Sequence, residues 1–221
     1  MSVGSHEDRG GFRCAPEVSA LVSATGMPWR FRNHAARVLF NPYHRLLFAI
    51  SGVRWGSGWR VFGAPVVQRH RQSDIRIGRR LALRSTLRSN PLAPAHPVVL
   101  STRTPEAEIQ IGDDFGMTGG SIIAYHRIEI GDRVLVGANC VIIDNDFHPM
   151  AADERRREIA APTAPVFIGD DVFVGTNSII LKGVTVGARS VIGAGSVVTT
   201  VVPPDVIVAG NPARMIRSLN D

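Results

Sequence analysis

Residues 168–197 read IGDDVF VGTNSI ILKGVT VGARSV IGAGSV, five consecutive units of six residues each. Every unit begins with Ile or Val, and the second position is usually Gly. The same phase recurs upstream, as IGDRVL from Ile130 and VGANCV from Val136. The first positions of the repeat, all aliphatic, are Ile130, Val136, Ile142, Ile168, Val174, Ile180, Val186, Ile192 and Val198. This period of six is the strongest indication of the fold in the sequence.

Three six-residue units can form one triangular coil, with the aliphatic first residue pointing into the prism. Gly suits the corners because it readily adopts positive φ angles. One coil has no core of its own, so several must stack at the spacing of paired strands, about 4.8 Å. An ordinary sandwich of alternating strands would not keep a period of six through so many consecutive units without a break. The sequence therefore predicts an all-β protein, a parallel β-helix of hexapeptide repeats.

The rest of the 221-residue chain suggests four regions. We expect a flexible tail over 1–26, a helical cap over 27–60, the β-helix over 61–205 and a C-terminal extension over 206–221 that ends in a helical turn. Within the cap, a short helix precedes a second one that starts at Asn41 and Pro42 and stops at Gly52. We expect the apolar side chains of the cap to plug the open end of the β-helix; they are Trp29, Phe31, Val38, Leu39, Leu46, Leu47 and Phe48.

Composition and charge restrict the function. Residues 1–104 contain 16 Arg and four acidic residues, whereas residues 105–221 contain nine basic and 15 acidic residues. The arginines are scattered and no nucleic-acid-binding motif surrounds them, so we expect no nucleic-acid partner. The apolar run from Leu46 to Ile50 is far shorter than the roughly 20 residues of a membrane span. The two cysteines, Cys14 and Cys140, do not suggest a structural disulfide.

We therefore expect a cytoplasmic protein. An alternative interpretation makes the cap an amphipathic anchor at the inner face of the membrane. Its arginines would then lie at the lipid headgroups; they are Arg30, Arg32, Arg37 and Arg45.

The largest break in the repeat lies between Ile142 and Ile168 and predicts a loop over 144–165, a length that is usually functional or disordered. It begins with DNDFHPM, which places His148 close to two carboxylates. An imidazole can take a proton from a hydroxyl near neutral pH, because its unperturbed pKa is about 6.5. Asp144 and Asp146 are candidates to orient His148 or to bind hydroxyl groups of a substrate; a simple polar turn is the alternative.

The run GMTGGSIIAYHRIEIGDRVLVGANCVIIDNDFHPM and the C-terminal run from VFIGDDVF to GNPARMIR resemble the left-handed β-helix acyltransferases, the hexapeptide transferase superfamily. The resemblance covers about residues 75–217 and is greatest to the sugar and polysaccharide O-acetyltransferases, which include galactoside and maltose acetyltransferases. It implies left-handed coils, although general chirality rules favour right-handed crossovers. It also implies acetyl-CoA as acyl donor, a sugar or glycan acceptor, a homotrimer with active sites between subunits, and His148 as the catalytic base.

The same resemblance assigns residues to coenzyme A. Thr176, Ala194 and Thr199 would line the pantetheine arm, and Gly175 and Gly195 would permit its close approach. For the two glycines, simple corner geometry is the alternative. At the phosphate and adenine end, the resemblance places Arg214 and Arg217; for these two a solvated turn is the alternative. Phe173 stands where many relatives have Trp, Thr200 where many have Lys, and Thr118 is nearest to an Asn of galactoside-type members. We count Phe173 among the coenzyme A residues, and Thr200 removes one possible phosphate contact. Phe173 and Thr118 indicate that the acceptor can differ from simple galactosides.

Three alternatives stay open. A carbonic anhydrase on this fold needs three zinc-binding histidines, but the coils contain only His126 and His148, so no metal is expected. A non-catalytic scaffold would bind coenzyme A without transferring an acyl group. An acyltransferase that acts on an amine or amino-acid acceptor would share the donor site. Cys140 occupies a fifth position of the repeat, where we expect core filling rather than a nucleophile.

Overall fold

A computed structural model describes residues 27–220. The tail predicted over 1–26 lies outside the described residues. The chain forms helix α1 (Pro28–Ile50) and a short helix α2 (Ala152–Arg156). Its strands form three sheets, the walls A, B and C, in which neighbouring strands run parallel except for the last strand of wall A. Wall A contains β1 (Arg60–Phe62), β4 (Ala82–Arg84), β7 (Gly116–Thr118), β10 (Leu135–Val136), β13 (Phe173–Val174), β16 (Val191–Ile192), β18 (Val206–Gly210) and β19 (Ala213–Ser218).

Wall B contains β2 (Val66–Arg69), β5 (Val99–Thr102), β8 (Ser121–Ala124), β11 (Val141–Ile143), β14 (Ile179–Ile180) and β17 (Val197–Val198). Wall C contains β3 (Asp74–Ile77), β6 (Glu108–Ile111), β9 (Arg127–Ile130), β12 (Val166–Ile168) and β15 (Thr185–Val186). The chain visits A, B and C in turn. Successive strands of a wall therefore come from successive coils, which confirms the predicted β-helix.

The period of six sets the register of the coils. Phe173 pairs with Val191, and Ile179 with Val197, so the two partners of each pair are separated by three hexapeptides, which is one full coil. All nine aliphatic first positions point inward, and none is more than 4% exposed. Their burial supplies the apolar area that stabilises a stack of short strands.

Two insertions interrupt this register. Ala82 pairs with Gly116, a separation much longer than one coil, because residues 85–98 leave the wall and form a Pro-rich excursion. Ile128 pairs with Val166, which is also more than one coil away in sequence, because the loop predicted from the broken repeat enters between β11 and β12. The second insertion carries His148.

The N-terminal cap differs from the prediction. α1 is one helix of 23 residues that begins at Pro28 and runs through Pro42, so the predicted break before Pro42 is wrong. Tertiary packing overrides the cost of an internal proline: Phe48 lies edge-on against Trp55 and Trp59, with ring centroids 5.7 and 5.1 Å away. Asn41 does not cap a helix, and its buried Oδ1 has no hydrogen-bond partner.

The predicted stop at Gly52 is confirmed. Gly52 has a φ of 71° and donates to the Ala49 carbonyl, while the Val53 N–H donates to the Phe48 carbonyl. This is a Schellman motif, which satisfies the last carbonyls of the helix.

Most of the predicted plug does not enter the β-helix. Phe48 is fully buried and Leu47 packs against the core. The other predicted plug residues are exposed; they are Trp29, Phe31, Val38, Leu39 and Leu46. One turn near the end of α1 therefore closes the β-helix, and the outer face of α1 is uncovered.

The C-terminal extension also differs. The predicted helical turn is wrong, since residues 213–218 form β19, which pairs antiparallel with β18. β18 would otherwise be the edge of wall A, and an edge strand presents unpaired backbone groups. The hairpin satisfies them and places Arg214 opposite Ala209, and Arg217 opposite Ile207.

A ladder of opposite charges follows the corner between walls C and A. Its residues adopt positive φ and alternate between Arg and Asp from coil to coil: Arg80, Asp114, Arg133, Asp171, Arg189 and Asp205. Arg133 donates to Asp171 at 2.6 Å, and Arg189 contacts Asp205 at 2.5 Å. The hydrogen bond from Arg133 holds the pKa of Asp171 below its usual value, and Arg189 does the same for the pKa of Asp205. The ladder thus joins successive coils through charge.

This ladder predicts acid sensitivity. A carboxyl whose pKa is depressed in the folded state contributes stability above its unfolded pKa, about 3.9, and loses it as pH falls through the folded value. We expect the urea midpoint to fall as pH is lowered below about 4, and 1 M NaCl to reduce the fall because the pairs are exposed. Arg189→Gln, with one pair fewer, should show a smaller fall than the wild type. Equal falls in both proteins would contradict this role.

Candidate active site

His148 lies near the start of the loop that leaves wall B after β11. Phe147 has a φ of 60°, and the His148 N–H donates to the Asp146 carbonyl at 2.7 Å, so the chain turns sharply here. Asn145 forms an antiparallel bridge with Thr163, which closes the base of the loop. The His148 side chain is exposed, while Pro149 beside it is buried. The loop therefore presents an imidazole to solvent on a base that is fixed at both ends.

Asp144 anchors this loop and does not face the solvent. Its side chain is fully buried, and its carboxylate accepts the backbone N–H groups of three residues of the preceding coil, at 2.7–2.8 Å. These are Tyr125, His126 and Arg127. The structure thus gives Asp144 a different role from the predicted one, because it holds the turn under the loop and has no surface left for a sugar.

Asp146 pairs with Lys182. The lysine Nζ lies 2.7 and 2.9 Å from the two carboxylate oxygens, and both side chains are partly buried, with 30% of the lysine and 15% of the aspartate exposed. Lys182 belongs to the turn after β14, one coil further along. The pair therefore ties the start of the loop to the next coil. Within the described residues, no side-chain hydrogen bond joins either carboxylate to the His148 ring.

The predicted pantetheine residues fall on two corners of wall B. Gly175, Thr176 and Ala194 lie at the corner between walls A and B, where the Thr176 hydroxyl donates to the Ala138 carbonyl at 2.7 Å. Thr199 follows β17 at the opposite corner, one coil beyond Lys182, and is exposed. Wall B thus separates the two groups, and Thr199 is the one that shares a corner with the His148 loop.

The remaining predicted residues lie on wall A. Phe173 is 47% exposed on its outer surface, between Leu135 and Val191 of the neighbouring coils. Arg214 and Arg217 lie on β19 and are exposed. One chain therefore does not bring Phe173 or these arginines to His148.

The two predicted glycines have different constraints. A Cβ on Gly175 would lie 2.5 Å from the backbone nitrogen of Ala194, whereas a Cβ on Gly195 would meet no atom within 4 Å. Gly195 instead has a φ of 70°, and Asn177 adopts a φ of 57° at the same corner one coil earlier. Position 175 requires glycine because the neighbouring backbone is too close for a Cβ. Position 195 favours glycine because its φ is positive.

Because of this difference, we expect substitutions of the two glycines to lower the free energy of unfolding by different amounts. Gly175→Ala should lower the free energy of unfolding by about 1–3 kcal/mol through overpacking against backbone. Gly195→Asn should cost less than about 1 kcal/mol, since Asn tolerates the left-handed region. Urea unfolding of both variants tests this, and a Gly195→Asn cost equal to that of Gly175→Ala would contradict it.

Sequence reasoning missed several contacts. Lys182 is the only lysine of the chain, but the sequence alone does not indicate that it meets Asp146. Tyr125, from the preceding coil, packs edge-on against Phe147 with ring centroids 5.9 Å apart. Thr118 is buried, and its hydroxyl accepts from Asn90 of the Pro-rich excursion at 3.2 Å. An amide thus lies beside the position where galactoside-type members carry Asn.

Two other kinds of site were considered in the sequence, a nucleophilic cysteine and a metal site. Cys140 is fully buried, its thiol lies 3.0 Å from the Gly175 carbonyl, and burial raises the pKa of the thiol. The predicted core role of Cys140 is thereby confirmed. In residues 27–220, no cluster of three or more His, Cys, Asp or Glu side chains could hold a metal ion.

Two depressions in the described surface lie away from His148. A small one lies under α1, and a shallow groove follows the outer surface of wall C, where Gln110, Glu129 and Phe167 line it. His148 itself stands on an exposed loop. A large substrate would need a second surface to be enclosed there.

Comparisons with known proteins agree with the repeat. A family model described as the hexapeptide repeat of succinyl-transferase matches residues 127–143 and 165–200. Galactoside O-acetyltransferase of Escherichia coli is 40% identical over 116 residues, which are 52% of this chain and 56% of that protein. The enzyme of the same name from Lactococcus lactis is 42% identical over 94 residues, which are 42% of this chain and 44% of that protein. The matched segment spans about half the length of these relatives.

Solved structures cover more of the chain. A hexapeptide-repeat acetyltransferase from Vibrio cholerae, complexed with acetyl coenzyme A, is 29% identical with a TM-score of 0.53. A galactoside acetyltransferase in complex with coenzyme A is 26% identical with a TM-score of 0.52. Each comparison covers 94% of this chain and 92% of the other. These comparisons confirm the predicted left-handed β-helix and the resemblance to the hexapeptide-repeat acyltransferases, within them to the galactoside O-acetyltransferases.

Proposed function

We propose that this protein transfers an acetyl group from acetyl-CoA to a sugar hydroxyl, with His148 as the general base. The observation that carries the proposal is the presentation of His148. Its exposed imidazole stands on a loop that a buried carboxylate ties to the preceding coil, an ion pair ties to the next coil, and a backbone bridge closes at its base. A base must be both accessible and held in place to act on a bound hydroxyl. The relatives that the chain resembles carry the names of O-acetyltransferases.

The reaction follows from these groups. His148 takes the proton of the acceptor hydroxyl, whose oxygen attacks the thioester carbonyl. The carbon–sulfur bond then breaks, and the thiolate recovers the proton from His148. The products are an acetyl ester and free coenzyme A. Backbone N–H groups of a neighbouring coil are suited to stabilise the negative charge on the carbonyl oxygen.

Acetyl-CoA would bind at the corners of the β-helix and at the C-terminal hairpin. Exposed turns such as those at Ala194 and Thr199 offer backbone groups to an extended pantetheine arm. Arg214 and Arg217 are available to the phosphates, for which a guanidinium is a good partner. The two structures bound to coenzyme A or its acetyl ester share the fold on which these residues lie.

We place the complete site between two subunits of a homotrimer. His148 lies on an exposed loop beyond wall B, while Phe173 lies on wall A of the same chain, on the other side of an A/B corner. A second subunit would supply the opposite wall and enclose both substrates. Phe173 would then pack against the acceptor with an aromatic ring smaller than Trp.

We assign the activity to polysaccharide or oligosaccharide synthesis in the cytoplasm, with a sugar hydroxyl as the acceptor. No helix in the described part of the chain is long and apolar enough to cross a membrane. An amine or amino-acid acceptor would use the same donor site and the same base.

An acceptor panel tests the proposal. Thiol release from acetyl-CoA is measured with hydroxyl sugars, the matching amino sugars, and serine. We expect release that depends on a hydroxyl sugar. Release with the amino sugars and not with their hydroxyl counterparts would assign the site to N-acylation, and release with serine alone would assign it to an amino-acid acceptor. Coenzyme A binding without release for any acceptor would favour a scaffold, and absence of binding would remove the donor site altogether.

A further inference from the structure

The outer face of α1 carries an apolar stripe that nothing in the described part of the chain covers. We define the α1 stripe as Leu39, Tyr43, Leu46 and Ile50, which are 73%, 52%, 59% and 78% exposed. Their spacing of four, three and four residues places them on one side of the helix. The opposite side is already used, because Phe48 and His44 are buried against the β-helix. α1 is thus apolar on both sides, with one side open.

The first half of α1 adds exposed aromatic rings. Trp29, Phe31 and Phe40 are 44%, 66% and 52% exposed. Trp29, whose indole N–H is polar, suits the boundary between water and lipid, whereas Phe31 and Phe40 are purely apolar and suit the acyl side of that boundary. A soluble surface rarely presents so many large apolar side chains on one helix.

The charge of this segment is entirely positive. Residues 18–73 contain no Asp or Glu and eight arginines: Arg30, Arg32, Arg37, Arg45, Arg54, Arg60, Arg69 and Arg71. A segment with only positive charge is complementary to an anionic surface.

We propose that α1 lies on the surface of a bilayer that contains anionic lipid, with the α1 stripe in the acyl boundary and arginines at the headgroup phosphates. The helix is 23 residues, or about 34 Å, long, and it carries four arginines, so it would lie in the interface and not span it. A second copy of the chain is the other occupant that an apolar stripe suggests. The charge of α1 opposes the pairing of two copies, because their arginines would repel one another and neither helix contains an acidic residue.

The test uses the full chain and lipid vesicles. Sedimentation with phosphatidylcholine vesicles is compared with vesicles in which three lipids in ten are phosphatidylglycerol. We expect at least tenfold stronger partitioning to the anionic vesicles, and a marked loss in 0.5 M NaCl, since salt screens headgroup attraction. Equal partitioning to both, or none to either, would overturn the proposal.

Two matched variants locate the contact. Leu39→Asp/Leu46→Asp should lower partitioning at least tenfold. Leu92→Asp/Met150→Asp, with the same charge change at loop residues of 59% and 74% exposure, should bind like the wild type. Arg32→Gln/Arg45→Gln leaves the stripe intact and should lower only the binding to anionic vesicles, by several fold.

Light scattering distinguishes a lipid surface from a second copy of the chain as the partner of the α1 stripe. The wild type and the Leu39→Asp/Leu46→Asp variant should have the same oligomeric mass. A lower mass for the variant would show that the stripe is a contact between subunits and would overturn the proposal. Loss of partitioning by the loop variant to the same extent would overturn it as well, because the effect would then follow charge and not position.

Discussion

Replacing His148 by alanine should lower kcat/KM for acetyl transfer by a factor of about 10²–10⁴, the usual contribution of a positioned general base. The acceptor hydroxyl would then have to attack while it still carries its proton. Coenzyme A binding should change little, since the imidazole is not among the groups that we assign to the donor. The measurement is initial-rate thiol release with the acceptor that the panel identifies.

A matched control is available in the same region. His126 is also exposed, on the turn of the preceding coil below Asp144, and its contact with Asp144 uses only its backbone N–H. His126→Ala should keep activity within about threefold, and both variants should keep the thermal midpoint of the wild type because exposed substitutions cost little stability. Full activity in His148→Ala would remove His148 as the base.

Replacing Asp144 by alanine should have the largest effect on stability, a loss of roughly 3–5 kcal/mol in the free energy of unfolding. The carboxylate accepts three backbone N–H groups in a fully buried position, and its removal leaves all three donors without a partner. Activity should fall as well, because the base of the His148 loop is no longer held. Urea unfolding followed by far-UV circular dichroism measures the first effect.

Asp146→Ala provides the comparison. Asp146 pairs with Lys182 through side chains that are 15% and 30% exposed, so its loss should cost about 1.5–3 kcal/mol, less than the loss of Asp144. A stability loss for Asp146→Ala as large as for Asp144→Ala would show that the ion pair, and not the buried carboxylate, fixes the loop.

The repeat could be predicted because its signal is local and periodic. Each coil repeats the same inward positions, so Ile168, Val174 and Ile180 reveal their burial by spacing alone. The loop with His148 was found for the same reason, as the place where the period fails. The stop of α1 at Gly52 rests on one residue whose backbone freedom is readable in sequence.

What sequence could not supply are contacts between distant residues. Lys182 and Asp146 are 36 positions apart and meet only because two coils stack. Asp144 looks like any loop acid until the backbone of residues 125–127 is placed around it. The C-terminal strand was missed because pairing with the edge of wall A, and not local propensity, determines its conformation.

Transfer of an acetyl group to a hydroxyl is tested most directly by following a label in that group. Acetyl-CoA labelled in its acetyl group is incubated with the protein and the active acceptor, and the labelled product is treated with mild alkali. We expect the label to move to the acceptor and to be released by alkali, because alkali hydrolyses an ester. Label that stays bound through alkali as an amide, or that never reaches any acceptor, would contradict it.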